Sequence, residues 1–115
     1  MKVKALTNEI VELLKPLGVK KEYKTIDGAR IDIAVPERGL AIELENTYSW
    51  IERRILYNAI KAHRSGFKDL VIIYPFKDDV IHKSWIMKCI QELGVNLMII
   101  KPTELDKILR KLNKN

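Results

Sequence analysis

Three carboxylate side chains lie inside two short apolar segments that are predicted to be β-strands. Asp32 belongs to the segment RIDIAV, and Glu43 and Glu45 belong to the segment GLAIELE. Because side chains alternate between the two faces of a strand, the three acids are predicted to share one face. The opposite face, which forms the core, contains Ile31, Ile33, Val35, Leu40, Ile42 and Leu44. Carboxylates gathered on one face have the chemistry to bind a cation.

The loop between the two segments determines how the strands pair. With residues 36–39 as a tight turn, Val35 lies opposite Leu40, and Asp32 lies opposite Glu43. Like charges that face each other across a sheet destabilise it by up to roughly 1 kcal/mol. We therefore expect another group to offset the repulsion between Asp32 and Glu43.

Two interpretations of this acidic face are open. In the first, the hard carboxylate oxygens of Asp32 and Glu43 bind a divalent cation, which neutralises the repulsion. In the second, the face is solvated, Arg30 forms an ion pair with Glu45, and Asp32 contacts water or a neighbouring side chain. The residues alone favour neither interpretation.

The elements that must position these acids follow from the hydrophobic pattern. An amphipathic helix and an exposed polar strand are predicted before the two acid-bearing strands. Ser49 and Glu52 have the spacing of a capping box for a long helix that buries Trp50 and ends at Gly66. The apolar runs DLVIIYP and NLMIIK are predicted to be buried strands, joined by a helix between Asp79 and Gly94.

The predicted order of elements is α-β-β-β-α-β-α-β-α. Strands joined by tight turns pair in antiparallel fashion, whereas strands reached through helices pair in parallel. The sequence therefore predicts an α/β fold with an αβββαβ-type core, a mixed central sheet flanked by helices, in one domain of residues 1–115.

Composition limits the classes of protein to which the chain can belong. Apolar residues make up 47% of the 115, which is enough for one packed core. No segment approaches the roughly 18 apolar residues of a membrane helix, so we expect no membrane partner. Cys89 is the only cysteine, which suits a reducing cytoplasm. The net charge of +6 is compatible with a polyanionic partner.

These residues and this order of elements resemble the PD-(D/E)XK nuclease superfamily, which has a restriction-endonuclease-like fold. Its signature is an acid on one strand of a hairpin, then an acid, any residue and a lysine on the next. In this chain Asp32 is the first acid, Glu43 is the second, and Glu45 stands where lysine is usual. The resemblance implies that Asp32 and Glu43 bind Mg²⁺ or Mn²⁺ for the hydrolysis of DNA.

Glu45 departs from the family pattern, in which the lysine helps to position the attacking water and steadies charge on the phosphate. Some members of the superfamily are similar to this chain in having glutamate there, so Glu45 is a candidate general base. Alternatively, a cation from the following helix replaces the lysine, or the protein no longer cuts. The resemblance also implies an acid from the first helix as a metal ligand, for which Glu9 is preferred over Glu12.

The helix after the hairpin carries three polar residues at i, i+4 and i+7, which places Arg54, Asn58 and Lys61 on one flank. In the resembled fold this helix borders the active site. We therefore expect Lys61 to be catalytic, and Arg54, Asn58 and Lys61 to contact DNA. The alternative is a solvated helix flank.

Two further cations are candidates to bind DNA. Lys24 lies on the exposed first strand, where it would line a phosphate groove or protect a sheet edge by its charge. Arg30 lies at the start of the first acid-bearing strand.

Three functions are compatible with these features. The first is a divalent-metal-dependent DNA endonuclease, expected by analogy to be a homodimer because two copies suit the cutting of two strands. The second is a nuclease-fold module that has lost catalysis and binds nucleic acid or a protein partner. The third is a structural protein whose acids form a surface ion-pair network.

Overall fold

A five-stranded mixed sheet forms the centre of the protein in a computed structural model that describes residues 1–113. The strands are β1 (Lys20–Lys24), β2 (Arg30–Val35), β3 (Leu40–Leu44), β4 (Asp69–Ile73) and β5 (Asn96–Ile100), and they lie side by side in that order. The pairs β1–β2 and β2–β3 are antiparallel, and the pairs β3–β4 and β4–β5 are parallel. Short turns join the first three strands and helices precede the last two, as this change of direction requires.

Five helices accompany the sheet, which confirms the α/β class. They are α1 (Val3–Leu14), α2 (Ile51–Arg64), α3 (Asp79–His82), α4 (Ile86–Leu93) and α5 (Asp106–Asn113). The single helix predicted between Asp79 and Gly94 is divided into α3 and α4. The hydroxyl of Ser84 accepts a hydrogen bond from the Ile86 amide at 3.3 Å, a local contact that competes with a continuous helix. The last two residues of the predicted domain, 114–115, lie outside the described residues.

Two hydrophobic clusters lie on opposite faces of the sheet. The first contains the apolar side of α2, including Ile55 and Ala59, and the second contains α1 residues such as Ile10. Strand β4 contributes to both clusters, with Leu70 and Ile72 in the first, and Val71 and Ile73 in the second. The prediction that this strand is buried on both faces is therefore confirmed.

Strand β5 differs from the prediction of a buried strand because it lies at the edge of the sheet. Only Ile100 is buried, whereas Leu97, Met98 and Ile99 are half-buried.

The predicted pairing of β2 with β3 is confirmed, but one predicted face is wrong. Val35 lies opposite Leu40, as the turn at residues 36–39 requires. Ile31, however, packs in the first cluster with Ala34, whereas Ile33 packs in the second. The alternation of β2 therefore shifts between Ile31 and Ile33, at the position of Asp32.

The neighbouring strand is irregular at the same level. The pairing of β1 with β2 omits Glu22 and Asp32, which would face each other, and Glu22 has a positive φ of 46°. An L residue adopts such a conformation rarely. Tyr23 and its partner Ile31 both pack on the α2 side of the sheet.

No helix among residues 1–113 is both long and apolar enough to span a membrane.

Candidate functional site

A buried ion pair between Glu43 of β3 and Lys61 of α2 forms the centre of the candidate site. The Lys61 Nζ lies 2.6 Å from Glu43 Oε2, and the two side chains are only 10% and 5% exposed. Lys61 Nζ also donates a hydrogen bond to the Arg30 carbonyl oxygen at 2.5 Å. The helix that follows the hairpin therefore delivers a cation to the second acid of the pattern.

Main-chain amides donate to the second oxygen of Glu43 and to one oxygen of Asp32 at this end of the hairpin. Glu43 Oε1 accepts a hydrogen bond from the Asp32 amide at 3.1 Å, and Asp32 Oδ2 accepts one from the Leu44 amide at 2.8 Å. The backbone pairing of β2 with β3 ends just before these residues, at Ile33 and Ile42. Two amides and the Lys61 ammonium thus offset the repulsion that we predicted between Asp32 and Glu43.

Burial raises the pKa of Glu43 to about 7 from an ordinary value of 4.5. The negative charge of Asp32 acts in the same direction, whereas the hydrogen bond from Lys61 acts against it and favours the carboxylate. Glu43 therefore gains or loses its proton close to neutral pH, which is unusual for a glutamate.

This raised pKa predicts a dependence of stability on pH. The folded protein holds a proton on Glu43 more tightly than the unfolded chain does, so this contribution to stability is complete below pH 4.5. We expect the free energy of unfolding to lose up to about 3 kcal/mol, relative to a Glu43→Gln variant, as the pH rises from 4.5 through 7.

Urea denaturation of both proteins between pH 4.5 and 8.5 measures this difference. Glu92→Gln, at an exposed position on α4, is the matched control and should retain the pH dependence of the wild-type protein. A wild-type protein whose stability runs parallel to that of Glu43→Gln would contradict the raised pKa.

Glu45 contacts the other two members of the predicted stripe on α2. Its Oε1 accepts a hydrogen bond from Asn58 Nδ2 at 2.9 Å, and its Oε2 lies 3.9 Å from Arg54 Nη1. Asn58 is 4% exposed and the Lys61 side chain is 10% exposed, so this flank is not a solvated surface at either residue. Arg54 is about half exposed, which leaves its guanidinium accessible to a ligand.

Arg30 and Glu45 do not form the predicted ion pair, because each has other partners. Arg30 Nη1 lies 3.5 Å from Glu22 Oε1 on β1, and both side chains are exposed. Lys24 is paired with Arg30 across the β1–β2 ladder and is exposed as well. These two cations lie together on the hairpin, beside the acids and not within their network.

Asp32 lies where β2 and β3 part: its Oδ2 accepts the Leu44 amide hydrogen bond, and its charge acts on Glu43. It lines a cleft of about 210 Å³ whose other residues belong to β1 and α1: Val3, Lys4, Thr7, Asn8, Lys21 and Glu22. Helix α1 packs in the cluster opposite to α2, where Glu43 and Glu45 find their partners. The strict alternation from which we predicted one shared face is therefore wrong for β2, where it shifts at Asp32, although Asp32 still lies beside Glu43.

The predicted acid of the first helix does not reach this cleft. Glu9 is exposed, and the α1 residues of the cleft are its neighbours Thr7 and Asn8. The alternative, Glu12, is paired with Lys15 at 3.9 Å on the helix surface.

Two acids of this site, Asp32 and Glu43, are candidate metal ligands. Within residues 1–113, no three His, Cys, Asp or Glu side chains are grouped to hold an ion. Mg²⁺, however, usually keeps several waters and needs only one or two carboxylates together with substrate phosphates. Asp32 and Glu43 fit that smaller donor set, provided that Lys61 leaves Glu43 Oε2.

The exposure of Trp50, at the start of the helix that carries this site, was not predicted from the sequence. Helix α2 begins at Ile51, and no side chain caps it, so the predicted capping box of Ser49 and Glu52 is wrong. Trp50 adopts a left-handed conformation immediately before the helix and is 66% exposed, although its apolar character predicts burial. No sequence signal marks this conformation, which usually belongs to glycine or asparagine.

The chain was compared with models of protein families, with curated proteins and with solved structures, and none of them matches it.

Proposed function

We propose that the protein is a divalent-metal-dependent endonuclease that hydrolyses DNA phosphodiester bonds, with a restriction-endonuclease-like arrangement of its elements. The observation that carries this proposal is the position of Lys61. The resembled pattern lacks its lysine because Glu45 stands there, and α2 places an ammonium 2.6 Å from the second acid instead. A cation in this position can stabilise negative charge that develops on a phosphate.

Each polar residue of the site has a distinct role in this proposal. Asp32 and Glu43 would hold Mg²⁺ or Mn²⁺, which supplies Lewis acidity to the phosphate and to the attacking water. Lys61 leaves Glu43 and contacts the phosphate. Glu45 accepts the proton of the attacking water, and Asn58 fixes the orientation of its carboxylate through the 2.9 Å hydrogen bond.

Exposed cations provide the contacts to the DNA backbone. Arg54 borders Glu45, and its planar guanidinium is suited to bidentate contact with a phosphate. Lys24 and Arg30 face each other on the hairpin and extend the basic surface away from the acids. The proposal includes a homodimer, in which two such sites cut two strands, and a cytoplasmic location.

A second function is favoured by one observation. Both oxygens of Glu43 are occupied by protein donors, which is the arrangement expected of a nuclease-like module that binds nucleic acid without cutting it. The two functions differ in their need for metal.

A cleavage assay tests the proposal directly. The protein is incubated with supercoiled, linear, single-stranded and branched DNA in Mg²⁺, in Mn²⁺ and in EDTA. We expect cleavage of at least one substrate with metal and none in EDTA, and we expect Asp32→Asn to reduce it strongly while the exposed control Glu92→Gln does not.

Calorimetric titration with Mn²⁺ accompanies the assay. Absence of cleavage on every substrate, together with a silent titration and salt-dependent DNA binding, would replace the endonuclease with the binding module.

A further inference from the structure

Three aromatic side chains are exposed where β3 passes into α2 and where β4 ends. Tyr48 is 70% exposed, Trp50 is 66% exposed and Phe76 is 37% exposed. The rings of Tyr48 and Phe76 pack edge to face with their centroids 5.5 Å apart. We call these three residues the aromatic ledge. Arg54 links the ledge to the candidate site, because it donates a hydrogen bond to the Ser49 carbonyl at 3.1 Å and lies 3.9 Å from Glu45.

The backbone holds Trp50 at the surface at a cost in conformational energy. Its φ of 58° and ψ of 27° are left-handed, which costs a bulky residue about 1–3 kcal/mol. Two hydrogen bonds maintain this turn: the Ile51 amide donates to the Tyr48 carbonyl at 3.3 Å, and the Arg54 amide donates to the Trp50 carbonyl at 3.0 Å. A strained backbone that exposes a large apolar ring beside a polar site indicates a binding role for the ring.

Two basic side chains, Arg53 and Lys101, lie beside the aromatic ledge. The Arg53 guanidinium lies 4.4 Å from the centroid of the Trp50 ring, and Lys101 donates a hydrogen bond to the Phe76 carbonyl. Tyr48, Trp50 and Arg53 line an open concavity of about 340 Å³, to which Glu52 contributes the one acid. Aromatic rings interleaved with Arg and Lys side chains are typical of surfaces that bind the bases and backbone of unpaired nucleic acid.

We propose that the aromatic ledge binds unpaired bases of single-stranded or branched DNA by stacking. The choice of DNA rests on the proposed function, whose substrate class this inference specifies. Bases in an intact duplex are stacked on each other and offer no free face to a protein ring, whereas bases of a single strand do. The ledge would therefore hold the unpaired strand next to Arg54 and Glu45.

Trp50 fluorescence reports on this contact without any need for cleavage. Trp85 is replaced by phenylalanine so that Trp50 is the sole tryptophan, and the protein is titrated with a deoxythymidine oligonucleotide in EDTA. We expect quenching on addition of the single strand and little change with a duplex of equal length.

Substitution of the ring measures its contribution to affinity. Trp50→Asn is suited to the test because asparagine tolerates the left-handed conformation, and Trp50→Phe retains a stacking ring. We expect Trp50→Asn to weaken single-strand binding about tenfold or more and Trp50→Phe to retain it. Trp85→Asn is the matched control, because Trp85 is 70% exposed but lies at the start of α4.

Three results would overturn the inference. They are the absence of single-strand binding, equal affinities of Trp50→Asn and Trp85→Asn, and equal weakening of single-strand and duplex binding. A Trp50→Asn variant that changes the oligomeric state and leaves DNA affinity unchanged would assign the ledge to a second copy of the chain. All titrations are performed in EDTA and therefore measure DNA binding without metal-dependent cleavage. If the protein proved unable to cleave DNA, the binding results would still test the ledge.

Discussion

At pH 8 the free energy of unfolding of a Lys61→Met variant is expected to be about 3–5 kcal/mol lower than that of the wild-type protein. The substitution keeps much of the apolar stem of the side chain but removes the ammonium. Glu43 then remains buried with its negative charge uncompensated, and the Arg30 carbonyl loses a hydrogen-bond donor. Urea denaturation, followed by circular dichroism, measures the change.

The pH and a second substitution identify the cause of this loss. At pH 5.5 Glu43 is largely protonated because burial raises its pKa to about 7, so we expect Lys61→Met to be less destabilising there. The double variant Glu43→Gln/Lys61→Met removes both charges and should recover most of the stability at pH 8. Lys88→Met, at an exposed position of α4, is the control. If Lys61→Met and Lys88→Met unfold alike, the buried pair is not formed.

On the proposed function, a Glu43→Gln variant is expected to cleave DNA at least about a hundredfold more slowly than the wild-type protein while remaining folded. Glutamine has the shape of glutamate and can still accept the Asp32 amide hydrogen bond, but it offers no anionic oxygen to a metal. Because the site already favours a neutral side chain near pH 7, the amide should be tolerated in the fold. Rates of plasmid nicking in Mn²⁺ give the comparison.

DNA binding distinguishes a loss of chemistry from a loss of structure in this variant. We expect Glu43→Gln to bind DNA in EDTA as well as the wild-type protein does, because Arg54, Lys24 and Arg30 are unchanged. Glu92→Gln should cleave at the wild-type rate. Persistence of cleavage in Glu43→Gln would exclude Glu43 from the reaction.

Local periodicity was sufficient to predict the part of the site that α2 and β3 form. The turn at residues 36–39 set the pairing of Val35 with Leu40, and this prediction is confirmed. The i, i+4, i+7 spacing placed Arg54, Asn58 and Lys61 on one flank of the helix, and all three contact Glu43 of β3 or Glu45 just after it. Side-chain direction in regular helices and strands follows from the period alone, so these contacts were accessible from the sequence.

The position of Asp32 could not be predicted in this way. Strict alternation put Ile31 and Ile33 on one face, but they pack in opposite clusters, and Glu22, opposite Asp32 on β1, has a positive φ. Glutamate carries no signal for this conformation. The same limit applies to Trp50, whose left-handed backbone moves the start of α2 and leaves the ring exposed.

The burial of β5 was overestimated for a different reason. A continuous apolar run indicates a strand but does not say whether a neighbour covers each side. The order of strands places β5 at the sheet edge, which is a property of the whole topology and not of the segment NLMII.

Lys61 joins three elements that are far apart in the sequence: its own helix α2, β3 through Glu43, and β2 through the Arg30 carbonyl. The end of α2 that carries Lys61 cannot move outward alone, since its departure would leave a buried carboxylate and a carbonyl without their donor at the same moment. In the absence of metal, helix and hairpin should therefore open and close as one cooperative unit, and the groups of the candidate site should be assembled together or not at all.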